Sequence, residues 1–147
     1  METNKYNFIH KFSDFGGFRI EVEKIVSSIK VPFAISVIVT IIGVLITAML
    51  FPDASLLVFS IVFQVIGFAV IFWAGYTAAK STNGGITEGA IAGVSIALVN
   101  AGIAFFLLSS VVFPPGMAVD STIIGLSYGI IAGLLLGAVA GWFAGRK

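Results

Sequence analysis

An all-α, polytopic membrane fold built on a four-transmembrane-helix bundle is what this sequence predicts, and three observations predict it. Of 147 residues, 59% are hydrophobic and only 10% charged, against about 45–50% and about 25% in ordinary soluble domains. Four apolar stretches free of Asp, Glu, Lys and Arg divide the chain, each long enough to cross a bilayer. All eight Lys and Arg residues fall on one side of those stretches.

The chain opens with an arm, residues 1–30, in which Phe8, Phe12, Phe15, Val22, Ile25, Val26 and Ile29 recur at helical spacing with Lys and Glu between them. That pattern predicts an amphipathic helical arm, broken at Gly16-Gly17, that docks in the headgroup layer, on the cytoplasmic ends of the bundle or on a partner. About thirty residues precede the first apolar stretch, so that stretch reads as a retained helix and not as the core of a signal peptide. His10 stands alone in the arm, without the companions a metal site would need.

The transmembrane domain, 31–147, follows. A helix needs roughly 20 apolar residues to cross a hydrocarbon layer about 30 Å thick, and this predicts spans at about 31–51, 55–79, 89–113 and 122–144. Spanning strands would alternate apolar and polar positions, and these segments are apolar on every side. Pro52 and Pro114-Pro115 stand between spans, where a missing amide proton costs least. Asn83-Gly84-Gly85 predicts a turn, with Thr87 as a cap for the third span and Glu88 set against the positive end of its dipole. No GK[ST] sequence or preceding strand makes that turn a phosphate loop.

Lys5, Lys11, Arg19, Lys24 and Lys30 precede the first span, Lys80 lies between the second and third, and Arg146 and Lys147 follow the fourth. The opposite connections carry only Asp53 and Asp120. The positive-inside rule then places both termini in the cytoplasm of a multi-pass cell-membrane protein. The net charge of +1 gives no field for gathering nucleic acid. The absence of Cys excludes disulfides, thiolate metal sites and cysteine nucleophiles.

The two halves resemble each other. Phe51-Pro52 recurs as Phe113-Pro114, and GYTAAK at 75–80 recurs as GWFAGR at 141–146. This fits two tandem helical hairpins in parallel repeat; it equally fits convergence among apolar helices that end in interfacial aromatic and basic residues. The stretch FWAGYTAAKSTNGGITEGAIAGV at 72–94 and the ending IIAGLLLGAVAGWFAGRK at 130–147 resemble small glycine-rich, four-helix membrane protein families of unknown function, chiefly archaeal. The resemblance implies no activity and no functional residues.

Inside lipid, helices associate by close packing and interhelical hydrogen bonds. The fourth span carries Gly125, Gly129, Gly133, Gly137, Gly141 and Gly145 at every fourth position, and Gly85, Gly89, Gly93, Ala97 and Ala101 run with the same step into the third. This is the pattern of a glycine zipper. A step of four residues turns through about 400°, so the ridge drifts about 40° per step, no straight partner touches all six glycines and a crossing helix uses about three. The rest are open to another neighbour, a homo-oligomer or a larger membrane complex. Gln64 and Asn100 lie within roughly 6 Å of the middle of their spans by helical rise. Unpaired amides there are costly, which predicts a bond to each other or to backbone, or a polar pathway or ligand site.

These features give no catalytic set, no cofactor site and no buried carboxylate of the kind coupled transporters use. Two expectations remain: a non-enzymatic accessory subunit or scaffold packing through its glycine faces in the lipid bilayer, or an oligomeric passive channel or small-solute transporter lined by Ser60, Gln64, Ser95, Asn100, Ser127 and Tyr128.

Overall fold

The computed structural model describes residues 22–50, 56–111 and 115–146. They form five helices: α1 (Val22–Ser28), α2 (Lys30–Leu50), α3 (Leu56–Thr82), α4 (Ile86–Val111) and α5 (Pro115–Gly145). Helices α2 to α5 are each long and apolar enough to cross a membrane, and no strand occurs among the described residues. The chain is an all-α, four-helix, multi-pass membrane protein. Its outer faces stay apolar: Ile38, Val65, Phe106, Ile124 and Ile131 are each more than half exposed, the condition of side chains that meet lipid.

The helix limits differ from those read in the sequence where backbone hydrogen bonding continues past the apolar stretch. The expected 114–121 connection is helical from Pro115 onward. Proline suits the first helical position, since its ring presets φ and its missing N–H would have no intrahelical acceptor. Helix α3 continues to Thr82, where Asn83 takes a positive φ of 50°. Gly84 N then donates to Ala79 O at 3.0 Å, the Schellman closure in which a left-handed residue turns the chain and satisfies a terminal carbonyl. The strained position of this turn is therefore Asn83 and not either glycine.

Helix α4 begins one residue before Thr87, so Thr87 cannot be its cap. Gly89 N donates to Gly85 O at 3.1 Å, which makes Gly85 the residue before the first turn. The Glu88 carboxylate turns back and accepts from Gly85 N at 2.7 Å. That is the acidic half of a capping box, holding a donor that helix geometry leaves unpaired.

Helices α1 and α2 follow each other across a one-residue interruption at Ile29. Pro32 has no N–H to give to the Ser28 carbonyl four residues earlier, so one bond of the ladder is missing there. Bonds from Ile29 N to Ile25 O (3.1 Å) and Phe33 N to Ile29 O (2.8 Å) carry the chain across the interruption. Ile25 and Ile29, both buried, join a cluster with Ile71, Ala74 and Ala78 of α3 and Ala92 and Ile96 of α4. This part of the arm packs on the bundle. Phe8, His10, Phe12, Phe15 and the Gly16-Gly17 break lie outside the described residues.

Candidate functional site

Helices α4 and α5 run antiparallel, backbone against backbone. A Cβ on Gly89 would collide with the Gly137 carbonyl, and a Cβ on Gly137 with the Gly89 carbonyl. The same reciprocal blockage joins Gly93 and Gly133, where a Cβ on Gly133 would stand 2.7 Å from Gly93 O. Gly141 is blocked by the Gly85 carbonyl, and Gly129 meets the Ala97 Cβ at 3.8 Å. Each pair sits one turn from the next, moving up one helix and down the other. The α-hydrogens of these glycines point at facing carbonyls, the arrangement of weak Cα–H···O bonds that contribute about 0.5–1 kcal/mol each.

The drift of a step-four ridge decides where this contact ends. Contact is tight at Gly141, Gly137 and Gly133, ordinary at Gly129 and gone at Gly125, around which a Cβ would meet nothing within 4 Å. A third backbone joins at Gly137: a Cβ on Gly75 of α3 would lie 2.8 Å from Gly137 Cα. Gly75 carries no step-four pattern of its own, so the ridge count does not find it. The local signal was its place at the head of the GYTAAK motif, matching Gly141 in GWFAGR. The two motifs also share a charge arrangement. Lys80 Nζ sits 5.7 Å over the Tyr76 ring and the Arg146 guanidinium 3.3 Å over the Trp142 ring, each one turn along its helix.

The backbones separate toward the other end of the bundle, and polar side chains gather there. Asn100 of α4 does not pair with Gln64. Its Nδ2 donates to the hydroxyl of Ser36 on α2 at 2.5 Å, and Ser36 is almost wholly buried. Ser36 follows the buried Pro32 by one turn and lies on the same inward face of α2, so the bond joins α4 to α2 and not to α3.

Two grooves flank Asn100, sharing Thr40 and Gly67. One, of about 310 Å³, runs between α2 and α3 and includes Ser36, Ser60 and Phe63. The other, also about 310 Å³, lies among α3, α4 and α5 and includes Gln64, Phe68, Gly125 and Tyr128. The Phe68 and Tyr128 rings stand 6.1 Å apart across it. Among the described residues, no hydrogen bond engages the Gln64 amide or the Tyr128 hydroxyl. Ser95 and Ser127 line neither groove; both are exposed and give their hydroxyl protons to carbonyls of their own helices, Ile91 O (2.8 Å) and Ile123 O (2.9 Å). The six polar candidates thus do not gather along one path.

A wider recess of about 550 Å³ opens at the basic end, between the Asn83–Gly85 turn and the end of α5, with Glu88 and Arg146 both on its wall. No protein-family model matches the chain, nor does any curated protein or solved structure.

Proposed function

We propose that this protein is a non-enzymatic accessory subunit or scaffold of the cell membrane, with both termini cytoplasmic, that binds no nucleic acid and works as a homo-oligomer or within a larger membrane complex. The observation that carries this reading is the unequal use of the glycine ridge. From Gly133 to Gly141 it is consumed inside the bundle, while Gly125 and Gly102 meet nothing within 4 Å. A bundle packed backbone to backbone from Gly133 to Gly141 and open in small-residue surface beyond Gly129 leaves free faces on which another helix can pack closely. Within the apolar cores of the four long helices, residues 31–50, 59–79, 89–107 and 123–145, no Asp, Glu, Lys or Arg occurs, which supports a role without acid–base chemistry in the spans.

The alternative is an oligomeric passive channel. It is favoured by Gln64 alone, an exposed amide that several copies could bring into a ring. Reconstitution into liposomes tests the choice. The scaffold reading expects no ion or solute flux above that of empty liposomes. Flux that Gln64→Leu abolishes while helicity and melting are retained would replace it with the channel.

A further inference from the structure

The groove among α3, α4 and α5 has the composition of a small-molecule site and not of a packing defect. Its walls are mostly apolar, from Phe68, Ile71, Ala101 and Leu126, with a few polar groups among them. Among the described residues the Gln64 amide and the Tyr128 hydroxyl have no partner, and Asn100 commits only its Nδ2, to Ser36. In hydrocarbon an amide without a partner costs several kcal/mol on water-to-alkane scales. Each extra hydrogen-bond partner supplied from the membrane therefore gains more there than it would in water.

Four features restrict the occupant. No charged side chain lines the groove, so the recognised group is neutral. Gln64, Asn100 and Tyr128 lie within roughly 8 Å of the midpoints of their helices by the rise per residue, well inside a hydrocarbon layer about 30 Å thick. A phospholipid headgroup does not reach that depth, whereas a neutral lipophile does. The volume of about 310 Å³ is at the lower end for ligand pockets, enough for a ring but not for a whole lipid, and the tail would remain among the acyl chains. The free Gln64 and Tyr128 groups offer N–H and O–H donors beside an aromatic pair. That combination suits a flat ring bearing carbonyl oxygens.

We infer that this groove binds the ring of a neutral, carbonyl-bearing lipophile of the quinone class, entering sideways from the bilayer, with Gln64 and Tyr128 donating to its carbonyl oxygens. The site goes beyond the scaffold reading and does not rest on it, since liposome flux is measured separately from ligand uptake.

The full chain in phosphatidylcholine nanodiscs, titrated with radiolabelled decyl-benzoquinone, provides the test, with decylbenzene as the probe that lacks carbonyls. Saturable uptake of about one quinone per chain above empty nanodiscs is expected, with no saturable uptake of decylbenzene. Gln64→Leu and Tyr128→Phe should each weaken it about fivefold, the loss of one hydrogen bond; Gly125→Leu, which fills the groove, should abolish it. Ser95→Ala, outside the groove, should leave it unchanged. Tyr128→Phe keeps the ring, so it reads recognition even if Gln64→Leu does not fold. Uptake no greater than that of empty nanodiscs, equal binding of decylbenzene, or full binding by Tyr128→Phe and Gly125→Leu would each overturn the site.

Discussion

The carbonyl oxygen of Gly93 lies 2.7 Å from the point a Cβ on Gly133 would occupy, and the Gly133 carbonyl blocks a Cβ on Gly93 in return. Neither obstacle is a flexible side chain. Both are helix backbone, so any side chain at either position must part the helices. Gly133→Leu is accordingly expected to destabilise the protein by about 1–3 kcal/mol or more, in the range of overpacking. Gly125→Ala should do the reverse. No atom lies within 4 Å of the added methyl, and alanine gains up to about 1 kcal/mol over glycine within a helix. Unfolding measured in detergent and in bilayers distinguishes the two; a Gly133→Leu protein as stable as its parent would refute the close contact.

Asn100 and Ser36 should be energetically coupled, because the bond between them is the link between α4 and α2 at this depth. Polar pairs in membranes average about 0.6 kcal/mol of coupling and reach about 1.7. The Asn100→Leu, Ser36→Ala cycle is expected in that range, and the Asn100→Leu, Gln64→Leu cycle near zero. The opposite ranking would mean that Asn100 turns to Gln64 in the bilayer.

At the α3–α4 turn the sign of a substitution depends on φ. Asn83 sits at +50°, a conformation that costs an ordinary L-residue roughly 1–2 kcal/mol and glycine nothing. Asn83→Gly should therefore match or exceed the parent in melting temperature, while Asn83→Val should melt lower. If the valine variant melts with the parent, the left-handed turn is wrong.

These cases separate what sequence order could convey from what it could not. The spans were legible because the bilayer demands long apolar helices, and the α4–α5 contact because its glycines repeat within each helix. Gly75 and Ser36 were not. Each acts through a partner on another element: Gly75 on Gly137 and Ser36 on Asn100. No period within a single span carries such a relation. The cap was misplaced by two residues, at Thr87 instead of Gly85, because a glycine whose amide is held by Glu88 offers no side-chain signal.

The orientation of the bundle gives the last prediction. Lys80 and Arg146 belong to different helices yet lie over Tyr76 and Trp142 in the same way. Paired aromatic and basic residues of this kind mark a membrane–water interface, and basic residues concentrate on the cytoplasmic side. Since the chain contains no Cys, single cysteines can be introduced without background. Ser81 is exposed beside Lys80, and Asp53 belongs to the opposite connection of the sequence. In intact cells a membrane-impermeant maleimide should label Asp53→Cys, and should reach Ser81→Cys only after the membrane is permeabilised. Labelling of Ser81→Cys from outside, with Asp53→Cys protected, would invert the topology and move both termini out of the cytoplasm.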